Sequence, residues 1–361
     1  MTTSATVIAP LTLPRGRAWA NRFALAPLTT TQSNADGTAS AWDLDWTRLV
    51  AAGGYGMIMT CAAHVQKNGQ AFSGQLGISE DRHIAGLTQV AAIIRDAGAV
   101  SSVQLFHGGA RSLGGALGAR VAPTAHGPDV RELTAGEIGR IREDFVCAAR
   151  RAHMAGFDGI ELHAAFGWLL TQFLSPELNL RTDRYGGDLE GRSRLIFEIL
   201  RGVRSATDTD FQIGLRVSAG RYGLRLADLT QMSEELMRTE LIDYLDLAAW
   251  DVSLRSKEPG YEGRTIVSAF TELPRGNAVI GASGRLRTGA QIEALLDAGC
   301  GFAMIGRLAV AEPAVARRLL DDPAHSVVTL PISADRLERA GISPPFLEHL
   351  RQYRGFLSDT A

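Results

Sequence analysis

Hydrophobic positions along this chain fall into short runs separated by helix-length amphipathic stretches. Eight runs read as strands: 23–26, 56–60, 100–106, 159–163, 212–218, 244–248, 278–282 and 302–305. Most are apolar at successive positions instead of alternating. That is the pattern of parallel strands covered on both faces. The clearest helix spans Thr134 to Gly156. Thr134 and Glu137 have the spacing of a capping box. Ile138, Ile141, Phe145, Ala149 and Ala152 keep a helical period, and Gly156 stops the helix before the fourth strand. Strand–helix alternation repeated eight times predicts an α/β fold, a single (β/α)8 TIM barrel, rather than a doubly wound sheet. The chain has no GxGxxG element between a strand and a helix, which weakens the dinucleotide-fold alternative.

Two connections are long. Gly108–Glu132 follows the third strand and carries Gly and Pro. Asp251–Thr271 follows the sixth, with mixed charge and Gly260 and Gly263, and reads as a lid. The expected domain is the whole chain, 1–361, with a C-terminal tail from about 331. In that tail Phe346, Leu350 and Tyr353 are spaced for one face of a short helix, and Phe356 packs at its end.

Composition changes this picture little. The 361 residues are 45% hydrophobic and 21% charged, with a formal net charge of −2. Nothing points to a nucleic acid or a membrane as partner. Lys67 and Lys257 are the sole lysines, and neither lies in a strand-like run, so a Schiff-base lysine at a strand end is excluded. Cys61, Cys147 and Cys300 are far apart and odd in number, which argues against a disulfide framework and against a metal site. The beginning of the chain lacks the charged and apolar regions of a signal peptide, and no apolar run reaches membrane-spanning length; a cytoplasmic protein is expected.

In a parallel barrel the strand ends meet at one mouth, where chemistry is placed. His163 ends the fourth strand, at the start of a polar loop. A lone histidine is more often a satisfied core residue, but this position favours function. His107, among glycines at the third strand end, is a weaker candidate. The seventh and eighth strands end in IGASGR and MIGR. Glycine-bearing turns before helices expose backbone N–H groups to an anion, and Arg307 adds a charge-assisted bond, so these turns suit a phosphate. Two tight turns and a surface arginine are the plain alternative. Gln104 and Arg216 are polar residues inside apolar strands. A buried arginine needs a partner. An internal carboxylate or the pyrimidine edge of a flavin would serve.

The segments APLT, GGYGMIMT, GQLGI, VQLFHGG, RELT, GFDGIELH, QFLSPELNLRTDRYGGDLEGR, LRVS and MIGR fall in the order of a known family. The chain resembles, over nearly its whole length, the Old Yellow Enzyme group of FMN-dependent NAD(P)H oxidoreductases. The RTDRYGG block is the most specific of these matches. The resemblance implies FMN as cofactor and NADPH or NADH as reductant. It places Pro27, Leu28 and Thr29 along the flavin, Thr29 near O4 or N5, and Ala62 against the ring through its backbone. It puts Gln104 on the pyrimidine edge and Arg216 on the N1–C2=O side. Ser283, Gly284, Gly306 and Arg307 hold the phosphate, and Cys61 stands behind the site. His163 lies against both flavin and substrate.

His163 also matches the first member of the family's substrate-binding pair. Typical members carry a His or Asn three residues on and a proton-donating Tyr two beyond that. Here those positions are Phe166 and Trp168. Phe166 donates nothing, and an indole N–H is far too weak an acid to deliver a proton. Losing one oxyanion donor costs about 2.7–4 kcal/mol. Losing a positioned acid costs roughly another 10²–10⁴ in rate. Ordinary enones are therefore expected to be slow substrates unless His107, Thr31 or a residue of the Gly108–Glu132 loop supplies a donor.

Three readings follow. The first is reduction of an activated alkene, quinone or bulky aromatic acceptor by hydride from reduced flavin N5. The second is a flavin-dependent dehydrogenase, aromatase or double-bond isomerase. The third, more remote, is a non-redox phosphate-binding lyase or epimerase. The resemblance also implies a homodimer, with Arg354 in the QYRGF tail as a candidate to reach the partner's site.

Overall fold

The computed structural model describes residues 7–358. Both ends of the expected 1–361 domain, residues 1–6 and 359–361, lie outside the described residues. Eight parallel strands close a barrel: β1 (Phe23–Leu25), β2 (Met57–Met59), β3 (Val100–Phe106), β4 (Gly159–Ala164), β5 (Gln212–Val217), β6 (Tyr244–Ala248), β7 (Val279–Ser283) and β8 (Phe302–Ile305). Each pairs with the next, and β8 pairs with β1 to close the ring. Helices surround it, so the expected TIM barrel is the observed fold.

Side chains alternate across the barrel wall. Ile160 and Leu162 of β4 point outward and join the strand–helix core, while Glu161 and His163 face the interior. The floor of the barrel is apolar. Trp19, Tyr244 and Phe302 pack edge to face with centroids 4.9–5.7 Å apart. Leu11 and Leu13 close the floor from below, and the Trp19 indole donates to Gln212 at 3.0 Å. Gly214 and Gly281 make this packing feasible, because a Cβ there would lie 2.1 Å from the Tyr244 ring and 2.2 Å from the Phe302 ring.

The helix Ala135–Met154 begins with the Thr134/Glu137 capping box and buries Ile138, Ile141, Phe145, Ala149 and Ala152 against the barrel. No described helix is long and apolar enough to cross a membrane.

Several connections are more ordered than their sequence suggests. The end of the second strand continues into a short extra strand, Ala63–His64, that pairs with Leu105 and Phe106. The 108–132 connection contains a two-stranded sheet, Arg120–Ala122 with Val130–Glu132. The 251–271 connection is pinned to the helix Leu226–Arg238. Glu258 accepts from the Leu226 amide at 2.7 Å, and the Tyr261 and Thr230 hydroxyls bond at 2.7 Å.

The C-terminal helices Ala334–Arg339 and Pro344–Leu350 cover the β1 loop. Phe346 packs on Trp46, and Ser343 donates to Gln32. Phe346, Leu350 and Phe356 are buried as expected. Tyr353 is not: it lies beyond the helix end, 47% exposed, bonded to His349.

Candidate active site

His163 sits at the top of β4, 6% exposed, facing Arg216 of β5. Burial, and then the Arg216 charge, push its pKa well below the usual imidazole value. The neutral ring carries one proton. The Ala165 amide donates toward Nδ1 at 3.4 Å, which leaves the proton on Nε2. Among the described residues no group accepts from Nε2, so this N–H is available to a ligand oxygen. The Phe166 ring stands perpendicular to His163 at 5.7 Å, and Phe106 bridges His163 and Trp168 at 5.7 and 4.8 Å. The three catalytic candidates are thus brought together in a largely aromatic wall, with the His163 N–H facing the mouth.

Beneath them lies a buried polar layer. The Arg216 guanidinium donates from Nη2 to Ser283 Oγ at 3.0 Å. Asp246 Oδ2 approaches Nη1 at 3.2 Å without forming a hydrogen bond, and Arg216 Nε and Nη1 are left unbonded although buried. Gln104 donates to Glu161 Oε1 at 2.7 Å. Glu161 and Asp246 are fully buried and repel each other. Desolvation lifts both acids, Asp246 to about 6, while Arg216 pulls in the opposite direction. Glu161, bonded to an amide instead of facing the guanidinium, is the neutral member.

So Arg216 has the internal carboxylate that sequence reasoning allowed, yet two of its nitrogens still want an acceptor. Gln104 differs from expectation: its amide nitrogen already serves Glu161. Glu161 and Asp246 were missed, although both are charged residues inside apolar strands, the signal that had singled out Gln104 and Arg216.

Around this layer the strand-end residues expected to meet a cofactor share one mouth. Pro27, Leu28 and Thr29 are partly exposed after β1, and Ala62 is buried after β2. Ser283 and Gly284 follow β7, and Gly306 and Arg307 follow β8. The helix after Gly306 has five residues, Arg307–Ala311, too short for much of a dipole. The anion attraction here comes from side chains instead. Arg307 is exposed, and its pKa is lowered by desolvation and by repulsion from Arg287 and Arg285. Three guanidiniums brought this close call for a polyanion between them.

The unpaired Arg216 nitrogens and this cationic cluster fit the two ends of FMN, a polar ring edge and a phosphate. The partly open apolar stretch Pro27–Leu28 fits the flat body between them.

Of the proposed substitute donors, two are committed elsewhere. His107 is 2% exposed: Nε2 faces Gln66 Oε1 at 3.0 Å and Nδ1 accepts from the Gly109 amide, while burial drives its pKa down to about 3. It pins a loop. The Thr31 hydroxyl donates to the carbonyls of Thr30 and Pro345. The third, the 108–132 loop, does reach the site: Arg111 lies 4.1 Å above the Trp168 ring and donates to the Phe166 carbonyl. Cys61 is inert, its thiol pushed up to about 12 by burial. Arg354 is exposed in the tail.

Tertiary structure adds Trp250, Tyr222 and Arg221. Trp250 follows β6 and packs edge-on against Phe166 at 5.0 Å. Thr31, Phe166, Tyr222, Trp250 and Arg285 all adopt positive φ, between 52° and 60°, and all lie in loops at the mouth. Strain of this kind gathers where a site holds side chains in place.

The RTDRYGG block proves to be a clamp. The 9%-exposed Arg181 donates to the carbonyls of Pro123 and Leu133 and forks onto Asp183. Asn179 ties the carbonyls of Phe173 and Tyr185 together. Gly186 is required because a Cβ would meet the Arg181 carbonyl oxygen at 2.1 Å. The block fastens the β4 loop to the β3 loop and touches no reacting atom.

Unbonded Arg216 nitrogens and an arginine cluster at the mouth of a parallel barrel suit a flavin nucleotide, and comparison with known proteins gives the class as a flavin-dependent oxidoreductase. The model of the NADH:flavin oxidoreductase / NADH oxidase family matches residues 7–319. A probable NADH-dependent flavin oxidoreductase of Bacillus subtilis, YqiG, is 33% identical over 84% of this chain and 85% of its own length. An NADPH dehydrogenase of Halalkalibacterium halodurans is 34% identical over 77% of this chain and 82% of its own. Among solved structures, morphinone reductase in complex with tetrahydroNAD superposes with a TM-score of 0.78 at 25% identity, over 92% of this chain and 93% of that one. The Old Yellow Enzyme homologue of Zymomonas mobilis has the same fold, at 22% identity, TM-score 0.78 and coverages of 92% and 96%. The chain belongs to the NADH:flavin oxidoreductase / NADH oxidase family, the Old Yellow Enzyme group anticipated from its motifs. It is an FMN-dependent oxidoreductase that acts with NAD(P)H, which removes the non-redox lyase or epimerase reading.

Proposed function

We propose that the protein reduces activated acceptors, alkenes conjugated to a carbonyl or nitro group and quinones, with His163 as principal anchor of the acceptor oxygen. The observation that carries this reading is the neutral His163 ring with its Nε2–H unpaired at the barrel mouth. FMN, when bound, would supply the two-electron redox chemistry that links NAD(P)H to the acceptor. His163 Nε2–H donates to the acceptor oxygen as negative charge builds there. Arg216, through Nε and Nη1, would hold the N1–C2=O edge, and Gln104 would orient beside it through its carbonyl. Pro27, Leu28, Thr29 and Ala62 would line the ring. Ser283, Gly284, Gly306 and Arg307, with Arg285 and Arg287, would hold the phosphate.

Phe166 and Trp168 offer no acid. That favours a second reading on the same site, dehydrogenation or aromatisation, in which carbon releases a proton instead of receiving one, or a double-bond isomerisation in which the proton removed from one carbon is returned to another. Three unpaired cysteines support work in the cytoplasm.

Purified protein should be yellow and should bleach anaerobically with NADH or NADPH. Reoxidation by a panel of enones, quinones and nitro compounds is then followed at the flavin band. Reoxidation by at least one class supports the first reading. Bleached enzyme that no member of the panel reoxidises, yet that isomerises an enone, would establish the second.

A further inference from the structure

Two arginines at the mouth lack an acid. Arg111, in the loop after β3, stacks on Trp168 with its Cζ 4.1 Å from the ring centre and lies 6.0 Å from Tyr222. Arg221, in the loop after β5, stacks on Trp250 at 4.0 Å. Neither has a carboxylate within 4.0 Å among the described residues, whereas exposed Arg48, Arg131, Arg184 and Arg225 each have one. Of the acidic side chains in the flanking loops, Asp251 faces Arg285 and accepts from Ser253, and the Glu177 side chain packs against Gly223. Both guanidiniums are therefore held over indole faces by cation–π attraction; Arg111 spends one N–H on the Phe166 carbonyl, and neither meets a carboxylate among the described residues.

The rings that carry them are themselves connected. Trp250 packs on Phe166, Phe166 on His163, and Trp168 on Phe106, which also touches His163. Four consecutive strands, β3 to β6, contribute to this one surface. Phe166, Tyr222 and Trp250 are kept at φ of 60°, 60° and 58° to present it. A largely aromatic slot with the His163 N–H at its base and two guanidiniums without a carboxylate partner at its rim selects for shape and charge together.

We propose that the physiological acceptor is a flat conjugated compound with two polar handles: an activating oxygen bound by His163 and a separate carboxylate bound by Arg111 and Arg221. The proposal rests on the reductase reading above and names its substrate class. The π bond of the alkene breaks, a C–H bond forms at the β-carbon with the hydride that originates from NAD(P)H, and the α-carbon takes a proton from water. Two electrons and two hydrogens are added, and NAD(P)⁺ is released. The remote carboxylate supplies binding energy at the rim, which offsets the missing second donor at Phe166 by holding the reacting carbon in place.

The test compares a carboxylated aryl enone, 4-(3-oxobut-1-enyl)benzoate, with its methyl ester on the holoenzyme. Turnover and the dissociation constant from perturbation of the oxidised flavin spectrum are both measured. The acid should be preferred by about tenfold or more in kcat/KM, the scale of one charge-assisted bond. Arg111→Gln and Arg221→Gln should each erode that preference mainly through KM and the dissociation constant, and added salt should erode it in the wild type.

Equal use of acid and ester, or equal losses for both in the variants, would overturn the proposal and leave the reductase reading standing. So would a loss confined to flavin reduction by NAD(P)H, which would assign the two arginines to the dinucleotide phosphates. If neither compound reoxidises the flavin, the reductase reading fails; acid-selective, arginine-dependent spectral binding would still support the carboxylate subsite.

Discussion

Replacing Phe166 by His, alone and together with Trp168→Tyr, tests how this site differs from its relatives. The backbone at Phe166 has φ near 60°. Bulky residues pay for that conformation, and His is among the types that tolerate it better, so the loop should keep its course. The ring to be replaced stands 5.7 Å from His163, edge to face, and 5.6 Å from the Arg216 guanidinium. A new imidazole there points an N–H into the same space as His163 Nε2. A fully aligned oxyanion donor contributes about 2.7–4 kcal/mol. The perpendicular setting of the rings keeps the new donor off ideal alignment, so about half of that, roughly tenfold or more in rate, is the expected gain at about 1.4 kcal/mol per decade. The assay is anaerobic stopped flow: enzyme reduced with one equivalent of NADPH is mixed with 2-cyclohexenone, and flavin reoxidation is recorded. Phe166→Leu is the control and should gain nothing. The reasoning fails if the double variant binds FMN and is reduced normally but reoxidises no faster than wild type. Phe166 would then not face the acceptor.

Two further outcomes concern the scaffold. Arg181→Met should cost about 1–3 kcal/mol in urea unfolding, since it leaves the buried Pro123 and Leu133 carbonyls without their donor; a loss under about 0.5 kcal/mol would mean that the clamp is dispensable. Buried His64 and His107 have pKa values lowered to about 4 and about 3. The unfolded chain protonates near 6.5, so stability is flat above that pH and falls below it, by about 1.4 kcal/mol per pH unit for each histidine down to its folded pKa. His107→Gln should make the dependence between pH 6 and 4 shallower by that amount, and an unchanged slope would show that His107 titrates freely in the fold.

Much of the architecture was legible because burial on both faces leaves a direct mark on sequence: eight apolar runs, each near its observed strand. The Thr134–Glu137 cap was legible for the same reason, since the bonds that make it are local. His163 was legible from position, at the end of a strand in a fold whose strand ends converge. The buried acids were harder. Glu161 sits two residues before His163 and Asp246 two after Tyr244, but their meaning depends on facing each other and Arg216 across the barrel. His107 and Thr31 illustrate the converse: each has suitable chemistry, and each spends it on Gln66, Gly109, Thr30 or Pro345, partners remote or unremarkable in sequence. The RTDRYGG block identified the family although its work is mechanical, because a clamp of charged and glycine residues tolerates few replacements.

Period, capping and strand-end position, all local properties, determined that this chain forms a parallel barrel with a histidine at its mouth, and the order of its motifs determined FMN and NAD(P)H. Only the tertiary structure decided which polar groups remain unspent there. Arg111 and Arg221 are two exposed arginines among many in the sequence. They become distinctive once loops from four different strands bring Trp168 and Trp250 beneath them and bring no carboxylate beside them. Whether a charge is paired depends on distances in space, and those are set by the closure of the barrel as a whole.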